Sequence, residues 1–94
     1  MNITIEHDTE GHQFFSVIEG KRAWLNYTAL PDGKTLDYRS TFTPPELRGK
    51  GIAGKIVKFA LEYARENHYK VIPSCPYVRS YIEQDPQFRT LVSG

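Results

Sequence analysis

Leu47-Arg48-Gly49-Lys50-Gly51-Ile52-Ala53-Gly54-Lys55 stands where a strand-like segment gives way to the one long helix signal of the chain. These nine residues hold three glycines, three cations and a helix start. A helix N-terminus presents backbone N–H groups without intrahelical partners, and a partial positive charge, so it attracts anions. Glycine lets backbone approach a phosphate closely, and Arg or Lys adds full charge. Successive N–H groups at 49–53 are therefore a candidate nest for a pyrophosphate, with Arg48, Lys50 or Lys55 at its edge. An ordinary glycine-rich turn with surface lysines has the same composition, and spacing alone leaves both open. No G-K-[ST] follows, so this is not a Walker A loop. No G-x-G-x-x-G is present, so it is not a dinucleotide fingerprint.

Downstream of the turn the period is helical. Ile52, Ile56, Ala60 and Ala64 recur at four-residue steps, flanked by Ala53, Val57 and Leu61. Lys55, Lys58, Glu62, Arg65 and Glu66 occupy the opposite face, with Lys58 and Glu62 spaced as an i,i+4 pair. A helix from Gly51 to about Asn67 would run about 25 Å across one sheet face. Residues 70–74 (KVIPS) predict a short fifth strand, which Pro73 confines to an edge or ends early. Pro76 suits a first helical position, and Tyr77, Val78, Tyr81 and Ile82 predict a short amphipathic helix that Asp85-Pro86 breaks. Pro86 to Val92 predicts a last turn packing back through Phe88, Leu91 and Val92.

Upstream the period is two. Residues 2–6 predict a strand with Ile3 and Ile5 on one face, followed by a turn at His7–Gly11. Strands are predicted at 12–18, 22–30 and 35–42, joined at Glu19-Gly20-Lys21 and Pro31-Asp32-Gly33-Lys34. Ala23, Leu25, Tyr27 and Ala29 should share one face of the third strand; Leu36, Tyr38 and Phe42 should share one face of the fourth. Four strands on short turns imply an antiparallel meander. Pro44-Pro45 then stops the sheet. A strand–helix–strand crossover makes the fifth strand parallel to the fourth.

Ninety-four residues suffice for one domain with one modest core. A net charge of +1 disfavours nucleic-acid binding by bulk charge, so any basic function is local. Cys75 is the one cysteine; it excludes an internal disulfide and fits a reducing, cytoplasmic setting. No signal peptide, and no apolar run of the ~20 residues a membrane span needs, is visible. No His/Cys/Asp/Glu group has metal-ligand spacing, and His7 and His12 are expected at the surface.

LRGKGIAGKIVKFALEYAREN (47–67), preceded by a strand and followed by KVIPSCPYV (70–78), resembles the acetyl-CoA-binding core of the GNAT superfamily of N-acetyltransferases. More narrowly, it is similar to short single-domain members whose signature reads PxxLRGxGIA…ARExxxxVIPxCxYV. The resemblance spans about residues 36–92. It implies an α/β (α+β) fold: a mixed five-stranded sheet, mostly antiparallel, with one major helix and short C-terminal helices. It also implies that the pyrophosphate of coenzyme A lies on Arg48, Gly49, Lys50, Gly51, Ile52, Ala53, Gly54 and Lys55. The pantetheine arm would run beside Thr41, Phe42 and Thr43, where the fourth and fifth strands splay.

The same resemblance places Cys75 near the thiol end of coenzyme A. A helix N-terminus beside it would favour a thiolate. Cys75 is thus a candidate nucleophile or mixed-disulfide partner, against the ordinary fate of a small buried residue. Tyr77 is a candidate general acid for the departing thiolate; packing is the alternative for it and for Tyr81. Ser40 departs from the histidine that short members carry before the threonine. Full-length members of the superfamily carry two N-terminal helices that help shape the acceptor site; a hairpin of strands is expected here instead, which would leave that site open or absent. The function expected is acetyl-CoA-dependent transfer of an acetyl group to an amine, small or peptidic, by a monomer or weak homodimer without metal. The alternatives are a non-catalytic coenzyme A or acyl-CoA binding or sensing module, and a small interaction domain using the Arg48–Lys58 basic patch.

Overall fold

A computed structural model describes residues 3–93. Strands β1 (Glu6–Asp8), β2 (Gln13–Ile18), β3 (Lys21–Ala29), β4 (Thr35–Phe42) and β5 (Lys70–Ile72) form one sheet in that spatial order. Pairing is antiparallel from β1 to β4 and parallel between β4 and β5. Helices α1 (Ile52–Glu66) and α2 (Pro76–Gln84) follow the sequence pattern closely. Short 3-10 segments cover Pro45–Leu47 and Pro86–Leu91. The fold class is the expected one: a mixed α/β domain whose sheet is mostly antiparallel.

Local chemistry explains the turns. Asp32 accepts the backbone N–H groups of Lys34 and Thr35 at 2.8 and 3.0 Å and the Thr35 hydroxyl at 2.8 Å. Its side chain substitutes for a backbone turn, so β3 reverses into β4 at a defined register. The backbone bond from Lys34 leads the causes that hold the Asp32 carboxyl below its ordinary value.

One core lies between α1 and the sheet. Ile52, Ile56, Val57, Ala60, Leu61 and Ala64 are buried on the helix, against Phe14, Leu25, Tyr38 and Val71 on the strands. Each larger apolar side chain contributes about 1.5–3 kcal/mol by leaving water. The Tyr38 hydroxyl donates to the Ala60 carbonyl at 2.6 Å, tying β4 to the middle of α1. Burial pushes that phenol far above its ordinary pKa.

Three expectations are corrected. First, β1 is Glu6–Asp8 rather than 2–6; Glu6 pairs with Phe15 and His7 with Phe14. Ile3 and Ile5 still pack on the core, so their alternation was a burial signal without ladder pairing. Met1 and Asn2 lie outside the described residues. Second, His7 is not a plain surface residue. Its ring stacks on Phe14 at 4.1 Å, meets Tyr63 edge-on at 4.5 Å, and its Nε2 lies 2.6 Å from the Tyr27 hydroxyl.

Third, Phe42 does not share a face with Tyr38. Tyr27 and Asn26 are adjacent on β3, yet they face Tyr38 and Ser40, so Arg39 is an extra residue in the ladder. Such a bulge reverses the side-chain parity of everything after it. Thr41 therefore stands opposite Leu25 on the α1 side. Phe42 stands opposite Trp24 on the outer face, ring centroids 5.6 Å apart.

The β4–β5 ladder is short. It runs from Thr35/Lys70 to Asp37/Ile72 and stops before Pro73, while β4 continues to Phe42. The outer edge of β5 is covered by the chain end: Val92 bridges Val71, and the Ser93 N–H donates to the Val71 carbonyl at 2.9 Å.

Candidate functional site

The turn before α1 is built by its neighbours. Pro44 and Pro45 cannot extend the ladder, and the chain coils into a 3-10 turn with the Leu47 N–H on the Pro44 carbonyl at 2.9 Å. Leu47, only 1% exposed, pins the turn to the core. Gly49 and Gly51 have φ of 80° and 76°, the left-handed region that glycine alone enters freely. Gly51 is the N-cap of α1 and provides no side-chain cap. The Lys55 N–H donates to the Gly51 carbonyl at 3.2 Å, which begins the hydrogen-bond ladder of α1. The N–H groups of Ile52, Ala53 and Gly54 thus have no intrahelical acceptor. Arg48 closes the arrangement by donating from Nε to the Thr43 carbonyl at 3.0 Å, which holds its guanidinium beside the end of β4.

A cleft of about 390 Å³ opens there. Arg48, Gly49, Gly51, Ile52 and Ala53 line one side and Thr41 and Thr43 another. Leu47 forms part of its lining, and Tyr77 faces it from α2. Residues far apart in sequence, singled out separately, thus surround one space. The parity reversal at Arg39 is what brings Thr41 there.

Other candidates sit elsewhere. Phe42 is on the outer face, as described. Lys50 and Lys55 are exposed and are not part of the cleft lining. Gly54 lies beneath α2: a Cβ there would stand 3.4 Å from the Tyr77 hydroxyl oxygen and 3.9 Å from Tyr81 Cε2. Its lack of a side chain serves the approach of α2 to α1. Tyr81 packs near Phe88, with centroids 6.4 Å apart, and burial leads the causes that raise its pKa. Leu47 was not singled out as a site residue. It precedes Arg48 in the quoted stretch and is also buried in the core.

Cys75 is the N-cap of α2 and is only 4% exposed. Its N–H donates to the Tyr38 carbonyl at 2.9 Å, and its carbonyl accepts from the Arg79 N–H at 3.0 Å. Its sulfur lies 3.6 Å from the Thr41 hydroxyl oxygen. Thr41 lines the cleft and Cys75 does not, so the thiol lies behind that hydroxyl. Tyr77, in contrast, is 43% exposed. His68 follows the far end of α1 with φ of 62° and is remote from the turn in the chain. Ser40 stands opposite Asn26, on the outer face. Among the described residues, no group of three or more His, Cys, Asp or Glu could hold a metal ion. No helix among them is long and apolar enough to cross a membrane.

These features define a mixed α/β domain with a glycine-rich turn and helix start lining a cleft beside the end of β4, the strand that pairs in parallel with β5. The profile of the GCN5-related N-acetyl-transferase family matches residues 13–91, and the chain belongs to that family. Protein NATD1 of Xenopus tropicalis is 33% identical over 87 residues, covering 90% of this chain and 79% of that protein. Protein NATD1 of Homo sapiens is 34% identical over 87 residues, covering 89% and 75%. In three dimensions the chain is similar to the NMR solution structure of a GCN5-like N-acetyltransferase candidate from Staphylococcus aureus. That similarity has a TM-score of 0.74 at 25% identity and covers 99% of this chain and 90% of that one.

Proposed function

We propose that the protein is an acetyl-CoA-dependent N-acetyltransferase that transfers an acetyl group to an amine. The observation that carries this is the single cleft shared by the Arg48–Ala53 turn, the end of β4 and Tyr77. The residues suit coenzyme A in their chemistry. Backbone N–H groups and Arg48 are donors for a pyrophosphate. Both left-handed glycines face open space, with nothing within 4 Å of where a Cβ would be, so the backbone is accessible to a ligand. β4 runs five residues beyond its last pairing with β5 (Asp37 to Phe42), leaving a strand end beside which an extended arm can lie. Acetyl-CoA, when bound, supplies the thioester that a neutral amine attacks. In this scheme Tyr77 provides a proton at the cleft mouth for the departing thiolate.

A second reading, a non-catalytic coenzyme A binding or sensing module, draws on the cleft's lining: no His, Asp or Glu is part of it, and Cys75 is buried behind Thr41.

Calorimetry with acetyl-CoA and with coenzyme A tests the shared premise; no binding at millimolar ligand sinks both readings. Release of free thiol in the presence of an amine panel then separates them. Turnover with any amine supports the transferase, and tight binding without turnover supports the module.

A further inference from the structure

We propose that Asp37 is a positioning residue for the cleft: through Ser74 it holds the Pro73–Pro76 junction, and with it the wall carrying Cys75 and Tyr77, against β4. The role given to that wall rests on the coenzyme A site proposed above.

Pro73-Ser74-Cys75-Pro76 is poor in backbone donors, because proline has no N–H. Only Ser74 and Cys75 carry one, and both are used. The Ser74 N–H turns back to the Ile72 carbonyl at 3.0 Å, and the Cys75 N–H reaches the Tyr38 carbonyl at 2.9 Å. The strand ladder has already ended at Asp37/Ile72. The junction's one O–H donor is the Ser74 hydroxyl, and it donates to Asp37 Oδ1 at 2.5 Å. A hydroxyl-to-carboxylate bond of this length belongs to the strong class. The other carboxylate oxygen accepts from Arg39 at 3.2 Å, so both oxygens are oriented. Arg39 is the bulge residue. The irregularity that turns Thr41 toward Cys75 thus also supplies the cation that steadies Asp37.

The Asp37 side chain is 13% exposed and that of Arg39 is 60% exposed. Asp37 is thus mostly covered, while its bond to the exposed Ser74 lies at the protein surface. α2 starts at Pro76, so Tyr77 lies in its first turn. The distance from Tyr77 to Thr41 and Thr43 across the cleft follows from where the junction is held. Without the carboxylate, the described ties from junction to β4 are the Cys75 N–H bond and the Thr41–Cys75 contact.

The chain's single cysteine reports this directly, independently of any ligand. Native-state alkylation of Cys75 by iodoacetamide tracks opening of the junction. Asp37→Ala and Ser74→Ala should each speed labelling about tenfold and weaken coenzyme A binding about three- to tenfold. Ser74→Thr keeps the hydroxyl and should stay within about twofold of the parent protein, while Asp37→Asn keeps an acceptor without the charge and should fall between the parent and Asp37→Ala. Ile18→Ala, on β2 away from the junction, controls for general loss of stability. Unchanged labelling in both alanine variants overturns the proposal. So does equal acceleration by Ile18→Ala at matched stability. Labelling that responds as expected in a protein that binds no coenzyme A upholds the Asp37 tie and rejects the coenzyme A site.

Discussion

Thr41 Oγ1 lies 3.6 Å from Cys75 Sγ, across 34 positions of sequence. The contact exists because one extra residue, Arg39, turns Thr41 to the helix side of the sheet. It places the hydroxyl, rather than the sulfur, at the cleft. Cys75→Ala should therefore cost about 1 kcal/mol of stability through the small cavity it leaves, while changing coenzyme A affinity by less than about threefold. Denaturant unfolding and calorimetry measure the two. Intact-mass analysis after incubation with acetyl-CoA should find no acetyl group on Cys75 in the parent protein. A stoichiometric adduct there would identify Cys75 as a nucleophile.

Arg48 is the charged member of the cleft. Reversing it in Arg48→Glu removes a charge-assisted donor and adds repulsion, so coenzyme A binding should weaken at least about 10- to 100-fold. Lys50→Ala, outside the lining, should have a much smaller effect. Raising the salt should weaken the parent complex and narrow the gap between the proteins, because screening acts on the exposed charge. Calorimetry at two ionic strengths decides; equal affinities for parent and Arg48→Glu remove Arg48 from the site.

Gly51 has φ of 76° and nothing within 4 Å of a built Cβ. A substitution there meets backbone strain without a clash. Gly51→Ala should lose about 1–2 kcal/mol, and Gly51→Asn less, because asparagine tolerates the left-handed region better. Urea titrations should give the order Gly, Asn, Ala with similar slopes. A fully stable alanine variant would show that the turn can adopt another conformation.

His7 makes stability depend on pH. Burial, the leading cause, lowers its pKa from the ordinary 6.5; Asp8 opposes this and His12 assists it. The folded state therefore prefers the neutral ring. That contribution is fully present above 6.5 and is lost as pH falls below 6.5 through the lowered folded value. Tyr27, its partner at 2.6 Å, is raised to about 12 by burial and stays protonated throughout this range. Melting at about pH 5 should lie below melting at about pH 7.5, and His7→Phe should flatten the difference. An unchanged pH slope in His7→Phe would move the effect to another group.

Much of the framework is legible in the sequence. The four-residue steps from Ile52 to Ala64 identify α1 because one helix face must leave water. Pro31-Asp32-Gly33, Pro44-Pro45 and Pro73 mark reversals and strand ends through local backbone chemistry, and each acts where it stands in the chain. The Arg48–Ala53 turn was legible for the same reason: left-handed glycines and a helix start are properties of a few consecutive residues.

What the sequence determined by itself was therefore local: the meander, the long helix, the proline stops and the glycine turn before α1. Tertiary structure decided the relationships between these parts. The position of β1 depended on which residues found ladder partners on β2, not on the Ile3/Ile5 alternation. The faces of Thr41 and Phe42 depended on a bulge that only the pairing of β3 with β4 reveals. Gly54 lies under Tyr77, and Ser74 meets Asp37 37 positions away, because α2 packs back against α1 and β4. A periodic pattern records which residues leave water. It carries no record of register or of long-range partners, which emerge only when separate elements compete for the same hydrogen bonds and the same core.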